Sequence, residues 1–175
     1  YDVDGDGQEE LLLNWAGVSM ADMVEYIWGY GDNGTHVELC EFPALTCYDN
    51  GVIEAEWSHN QGLAGEFWPY FLYRYNAEND QYELCGGADA WDKSVARTNE
   101  QGEVFPDDID ADQDGVVYYL LPADWDGNYA MEPVDGAKYR TWRESFLEGA
   151  SKLDDIWFWD LKEENIAIFG AEKPD

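Results

Sequence analysis

The segment Asp2-Val3-Asp4-Gly5-Asp6-Gly7-Gln8-Glu9-Glu10 constrains the fold more than any other stretch of the chain. Alternate aspartates along a tight turn point their carboxylates at one centre, and the interleaved glycines permit the positive φ that such a turn needs. A convergence of carboxylates suits a hard cation, and Ca2+ takes six to eight oxygens at about 2.3–2.6 Å. With Asp2 as the first position, Asp4 and Asp6 stand third and fifth and Gly7 sixth. Gln8, seventh, offers its backbone carbonyl, and Glu10, ninth, a further carboxylate. The predicted metal ligands are therefore Asp2, Asp4, Asp6, Gln8 and Glu10, and the predicted cofactor is Ca2+. The plain alternative is an acidic turn without metal.

An EF-hand loop needs an acidic residue at its twelfth position and helices on both sides. This chain has Leu13 there, and Leu11-Leu12-Leu13 reads as a strand. The segment instead resembles the integrin-type calcium loop, in which an acidic ninth residue closes the site and a strand follows. Its position just before a strand makes it a structural clamp at the sheet edge.

A second acidic run, Asp110-Ala111-Asp112-Gln113-Asp114-Gly115, precedes the strand that starts at Val116. Its ninth position is Tyr118, so the closing carboxylate is missing unless Asp107 or Asp108 supplies it from upstream. Asp110, Asp112 and Asp114 are thus a second candidate metal set, with an acidic hairpin loop as the plainer reading. Asp124-Trp125-Asp126-Gly127 carries a still more partial form of the pattern.

Charge narrows the partners. The 175 residues hold 39 acidic against 9 basic side chains, a formal net charge of −30. Such a field repels phosphate backbones and anionic headgroups, which argues against nucleic acid and direct membrane contact, and it favours bound cations. No stretch approaches the length of a membrane-spanning helix. The chain opens at Tyr1, without Met and directly on the loop, which predicts that an N-terminal part of the natural protein precedes it.

The predicted class is α+β, mostly β: an antiparallel meander sheet with one C-terminal amphipathic helix packed on it, in a single β-rich domain over 1–175. Strands are expected at Glu10–Asn14, Met23–Tyr30, His36–Phe42, Leu45–Tyr48, Val52–Trp57, Phe67–Tyr75, Tyr82–Cys85 and Val116–Leu121. Turn signals lie at Asn33-Gly34 and Asn50-Gly51. Val52, Glu54 and Glu56 alternate with Ile53, Ala55 and Trp57, the period of a half-buried strand. The polar stretch from Gly86 to Asp114 reads as loops. Tyr139, Trp142, Phe146, Ala150 and Leu153 recur at helical spacing, which predicts a helix over Ala137–Leu153 capped by Asp135. Lys138, Arg140, Arg143 and Lys152 lie along it as a docking face for an acidic sheet or partner, or simply as a solvated face. Ile156–Leu161 and Ile166–Phe169 read as strands or extended segments. Cys40, Cys47 and Cys85 make an odd set without a CxxC pair and read as buried small apolar residues.

The string from Tyr1 to Leu11, followed by an aromatic meander, resembles the opening of uncharacterised secreted or lipid-anchored proteins of Gram-positive gut bacteria. Lys138-Tyr139-Arg140-Thr141-Trp142-Arg143-Glu144 is similar to their late helix. The resemblance implies an extracytoplasmic location, secreted or anchored to the cell surface, and no particular activity. Three functions compete. The first is a calcium-stabilised surface binding or adhesion module, its aromatic surplus (9 Trp, 12 Tyr, 7 Phe) facing a glycan or a basic protein surface. The second is a carboxylate-based hydrolase, for example on glycans. Only His36 and His59 offer bases near neutral pH, and neither lies in a recognisable catalytic motif. Cys85 before Gly86-Gly87 is a faint nucleophile signal. The third is an accessory or spacer domain.

Overall fold

Two antiparallel meanders carry the chain from Leu11 to Pro122. The computed structural model describes residues 1–17, 23–31, 34–59, 62–127, 131–153 and 156–169. The first sheet has the order β1 (Leu11–Ala16), β2 (Met23–Gly31), β3 (Gly34–Phe42). The second runs β4 (Leu45–Cys47), β5 (Val52–Glu56), β6 (Tyr70–Asn76), β7 (Gln81–Asp92), β8 (Val116–Pro122). Within each sheet every strand pairs with its sequence neighbours, as a meander requires. The single predicted sheet is divided between β3 and β4. Pro43 follows Phe42 directly, and its missing N–H and fixed φ end the ladder there. The turn expected at Asn33-Gly34 and the side chains of His36 and Cys40 lie outside the described residues, in whole or in part.

Strand periodicity sorts the core. Ile53 packs with Cys47 and Tyr82 against Val3, Ile27 and Leu39, so the cluster draws on both sheets and on the N-terminal loop. Val52, one residue earlier and on the opposite face, joins Tyr70, Leu72 and Ala88 beneath α1 (Gly136–Leu147). The second sheet is thus a middle layer, with the first sheet on one side and α1 on the other. Burying Ile53 and Leu72 completely contributes roughly 1.5–3 kcal/mol each.

The predicted helix is real but shorter. Asp135 caps it, with Oδ2 accepting from the Ala137 N–H at 3.0 Å. The chain leaves the helix after Leu147, and Gly149 takes φ +75°, the left-handed conformation that commonly follows a helix end. Leu153, whose spacing suited the same helix, donates its N–H to the Cys47 carbonyl and packs in the inter-sheet core. Arg143 meets Glu54 of β5 at 2.6 Å and the Tyr48 hydroxyl at 3.1 Å, so part of the basic face docks on the sheet.

Two further expectations are corrected. β7 continues through Gly86–Asp92, where loops were predicted. Gly86–Ala88 lies between β6 and β8 and is buried, which requires small residues, and β7 then continues along β8 alone to Asp92. A Cβ on Gly87 would stand 2.7 Å from the Tyr70 carbonyl oxygen and 2.8 Å from Phe71 Cδ1. Ile166–Phe169 belongs to a short helix, α2 (Glu163–Phe169), and Ile156–Leu161 forms no strand. Among the described residues, no helix is long and apolar enough to cross a membrane.

Candidate metal centre

The N-terminal loop folds on itself before β1 begins. Glu10 donates its N–H to the Tyr1 carbonyl at 2.7 Å, and the Tyr1 ammonium donates to the Glu10 carbonyl at 3.1 Å. Between these ends Val3 is buried in the inter-sheet core and anchors the loop. Gly5 and Gly7 adopt φ +81° and +90°, which bends the backbone around its own carboxylates. Asp2 Oδ1 accepts from the Gly5 N–H at 2.8 Å, Asp4 Oδ1 from Asp6 at 2.9 Å, and Asp6 Oδ1 from Gln8 at 2.6 Å.

These bonds turn Asp2, Asp4 and Asp6 inward, and a carboxylate oxygen of each lies within 4.8 Å of those of the other two. Gln8, whose backbone carbonyl is the expected ligand, packs its side chain against the loop, the amide donating to Asp6 Oδ2 at 3.0 Å. Glu10 lies outside the triplet. Its Oε2 accepts from the Val3 N–H at 2.9 Å, and the side chain is buried. Burial pushes Glu10 up from its ordinary 4.5 to about 7, and the charges of Asp4, Asp6 and Asp2 add to the effect. Asp4 is also raised, first by burial and then by Asp6, Asp2 and Asp80 of the β6–β7 turn. Three converging carboxylates with a fourth behind them fit a hard divalent cation by donor chemistry, and its charge would relieve this mutual repulsion.

At the second acidic run, Asp110 and Asp112 come together with Asp135, a carboxylate oxygen of each within 4.8 Å of the others. Asp114 is outside that group, exposed, with Oδ1 accepting from the Val116 N–H at 2.8 Å. Asp135 stands far along the chain, and no local spacing marks it as a partner of this loop. It arrives there because Val134 forms an isolated bridge with Tyr118, exchanging two backbone hydrogen bonds at 2.9 and 2.8 Å. Backbone N–H groups of Ala137, Ala111 and Asp112 hold the Asp135 carboxyl below the usual carboxylate range. Asp124 and Asp126 join no comparable acidic group among the described residues.

The remaining sequence candidates have other surroundings. Ser58 and His59 contact one another, Oγ to Nδ1 at 3.0 Å, on the exposed surface. Burial raises the Cys85 thiol, which is the wrong direction for a nucleophile, and Cys47 is pushed up to about 12 by burial. Compared with models of known families, with curated proteins and with solved structures, the chain matches none.

Proposed function

We propose that this is a calcium-stabilised binding or accessory domain that works outside the cytoplasm, with the N-terminal loop as its metal site. The observation that carries the reading is the convergence of Asp2, Asp4 and Asp6 in a loop whose Val3 is buried in the inter-sheet core. Glu10 completes the loop as a buried carboxylate tied to Val3, its pKa raised first by burial and then by the charges of the three aspartates. A cation held there links the chain start to both sheets, and the Tyr1 hydroxyl extends the link by accepting from the Trp157 N–H at 2.8 Å. The metal clamps structure and performs no chemistry.

Recognition is assigned to exposed aromatics beside this clamp. Trp157, Phe158 and Trp159 lie in sequence with 72%, 46% and 55% of their surface exposed, a large apolar area left in water. Indole faces stack on the apolar faces of sugars, so a glycan is the favoured ligand and a basic protein surface the second. Calorimetric titration with Ca2+ tests the clamp: Asp4→Asn should weaken binding tenfold or more. A glycan array tests recognition: Trp157→Ala and Trp159→Ala should each reduce a positive signal at least tenfold, and an array blank at millimolar ligand refutes the glycan.

A further inference from the structure

Asp110 is buried with one side-chain oxygen unpartnered among the described residues. The residue is 7% exposed, and Oδ2 accepts from the Gly115 N–H at 3.1 Å. Oδ1 is fully enclosed and meets no donor among the described residues. A buried carboxylate oxygen without a partner is costly, and in native proteins such an atom usually faces a water or an ion. Here it belongs to the carboxylate that converges with those of Asp112 and Asp135. Arg140 pairs with the outer member, Asp112 Oδ2, at 3.7 Å, and its charge also acts on Asp135, but its own side chain is 59% exposed.

The backbone repeats the form of the N-terminal loop. With Asp110 in the first position, the fourth and sixth residues, Gln113 and Gly115, have φ +60° and +85°. Their counterparts Gly5 and Gly7 have +81° and +90°. In both loops the seventh N–H, from Val116 or Gln8, donates to the fifth aspartate, Asp114 or Asp6. The loops differ in what closes them, because Tyr118 occupies the ninth position of the second.

We propose that Asp110, Asp112 and Asp135 form a second calcium site, closed from outside the loop by the carboxylate that also caps α1. Asp135 binds the loop through the Ala111 N–H at 2.9 Å and the helix through Ala137, so a cation there joins the β8 entrance to the start of α1. The site stands independently of the N-terminal loop.

Calcium titration of the full chain by calorimetry, near neutral pH, tests this with three variants. Asp110→Asn keeps an acceptor for Gly115, Asp135→Asn keeps a good helix cap, and Asp112→Asn changes an exposed side chain that threatens folding least. The wild type should bind two Ca2+, and each variant should lose one of them or weaken it tenfold or more. Asp4→Asn should spare this site. A single Ca2+ lost with Asp110→Asn and Asp112→Asn but kept with Asp4→Asn would uphold this site and refute the N-terminal one. Wild-type stoichiometry and affinity in Asp112→Asn and Asp135→Asn would overturn the proposal.

Discussion

Glu10 Oε2 accepts a hydrogen bond from the Val3 N–H at 2.9 Å, so the ninth residue of the acidic loop holds the second in place. Val3 and Glu10 are both buried, at 1% and 5% exposure, and they join the loop to the inter-sheet core. This arrangement sets the electrostatic character of the metal-free loop. A carboxylate buried beside three others binds its proton unusually tightly.

The pH dependence follows from that shift. Because Glu10 is raised from 4.5 to about 7 in the fold, its contribution is fully present below 4.5 and lost as pH rises through about 7. In EDTA, stability should fall from about pH 4.5 through about pH 7, and solvent screening of the loop keeps the effect to about 1–2 kcal/mol. Denaturant melts across this range should show the fall in the wild type and a flatter profile in Glu10→Gln. An unchanged slope in the variant would assign the effect to other carboxylates.

Gly87 has no room for a methyl group. Its Cβ would stand 2.7 Å from the Tyr70 carbonyl oxygen, a backbone atom, and 3.0 Å from Leu121 Cδ1. Gly87→Ala should therefore destabilise by about 1–3 kcal/mol, the usual range for overpacking. Thermal denaturation reads this directly, and a melting temperature equal to the wild type would mean that β6 and β8 separate at little cost.

Arg143 bridges Glu54 and the Tyr48 hydroxyl from a half-buried position, at 2.6 and 3.1 Å. Removing it leaves Glu54, 17% exposed, without its cation. Arg143→Ala should cost about 2–4 kcal/mol, because an uncompensated carboxylate is left at the sheet surface. The double change with Glu54→Gln should recover a measurable part of that loss. Additive losses would show that the pair does not hold α1 to the sheet.

Where side chains alternate or turns carry glycine, the sequence was informative about the fold. Val52–Glu56 alternates because one face meets the first sheet and the other meets α1, and Asp135 marks the start of α1 by its capping carboxylate. The buried end of β7 was hidden for the opposite reason. Neighbours on both faces leave room only for Gly-Gly-Ala, residues with poor strand propensity and no alternation. Ala150 and Leu153 kept helical spacing past Gly149, and only the packed structure sends Leu153 into the other core. The short apolar run at Ile166 fits helix and strand equally, and Glu163 and Glu164 in the first turn favour the helix that forms. Asp2, Asp4 and Asp6 were readable as one group because their spacing alone brings them together. Asp135 was not, because it reaches Ala111 across 24 residues through a tertiary bridge.

Thermal unfolding in saturating Ca2+ and in EDTA tests the calcium clamp most directly. Ligand at 100 times its dissociation constant adds about 2.7 kcal/mol per site, which corresponds to a rise of roughly 5–10 °C for a domain of this size. The account predicts at least that rise for the wild type and a clearly smaller one for Asp4→Asn. Equal melting temperatures in Ca2+ and EDTA would contradict it.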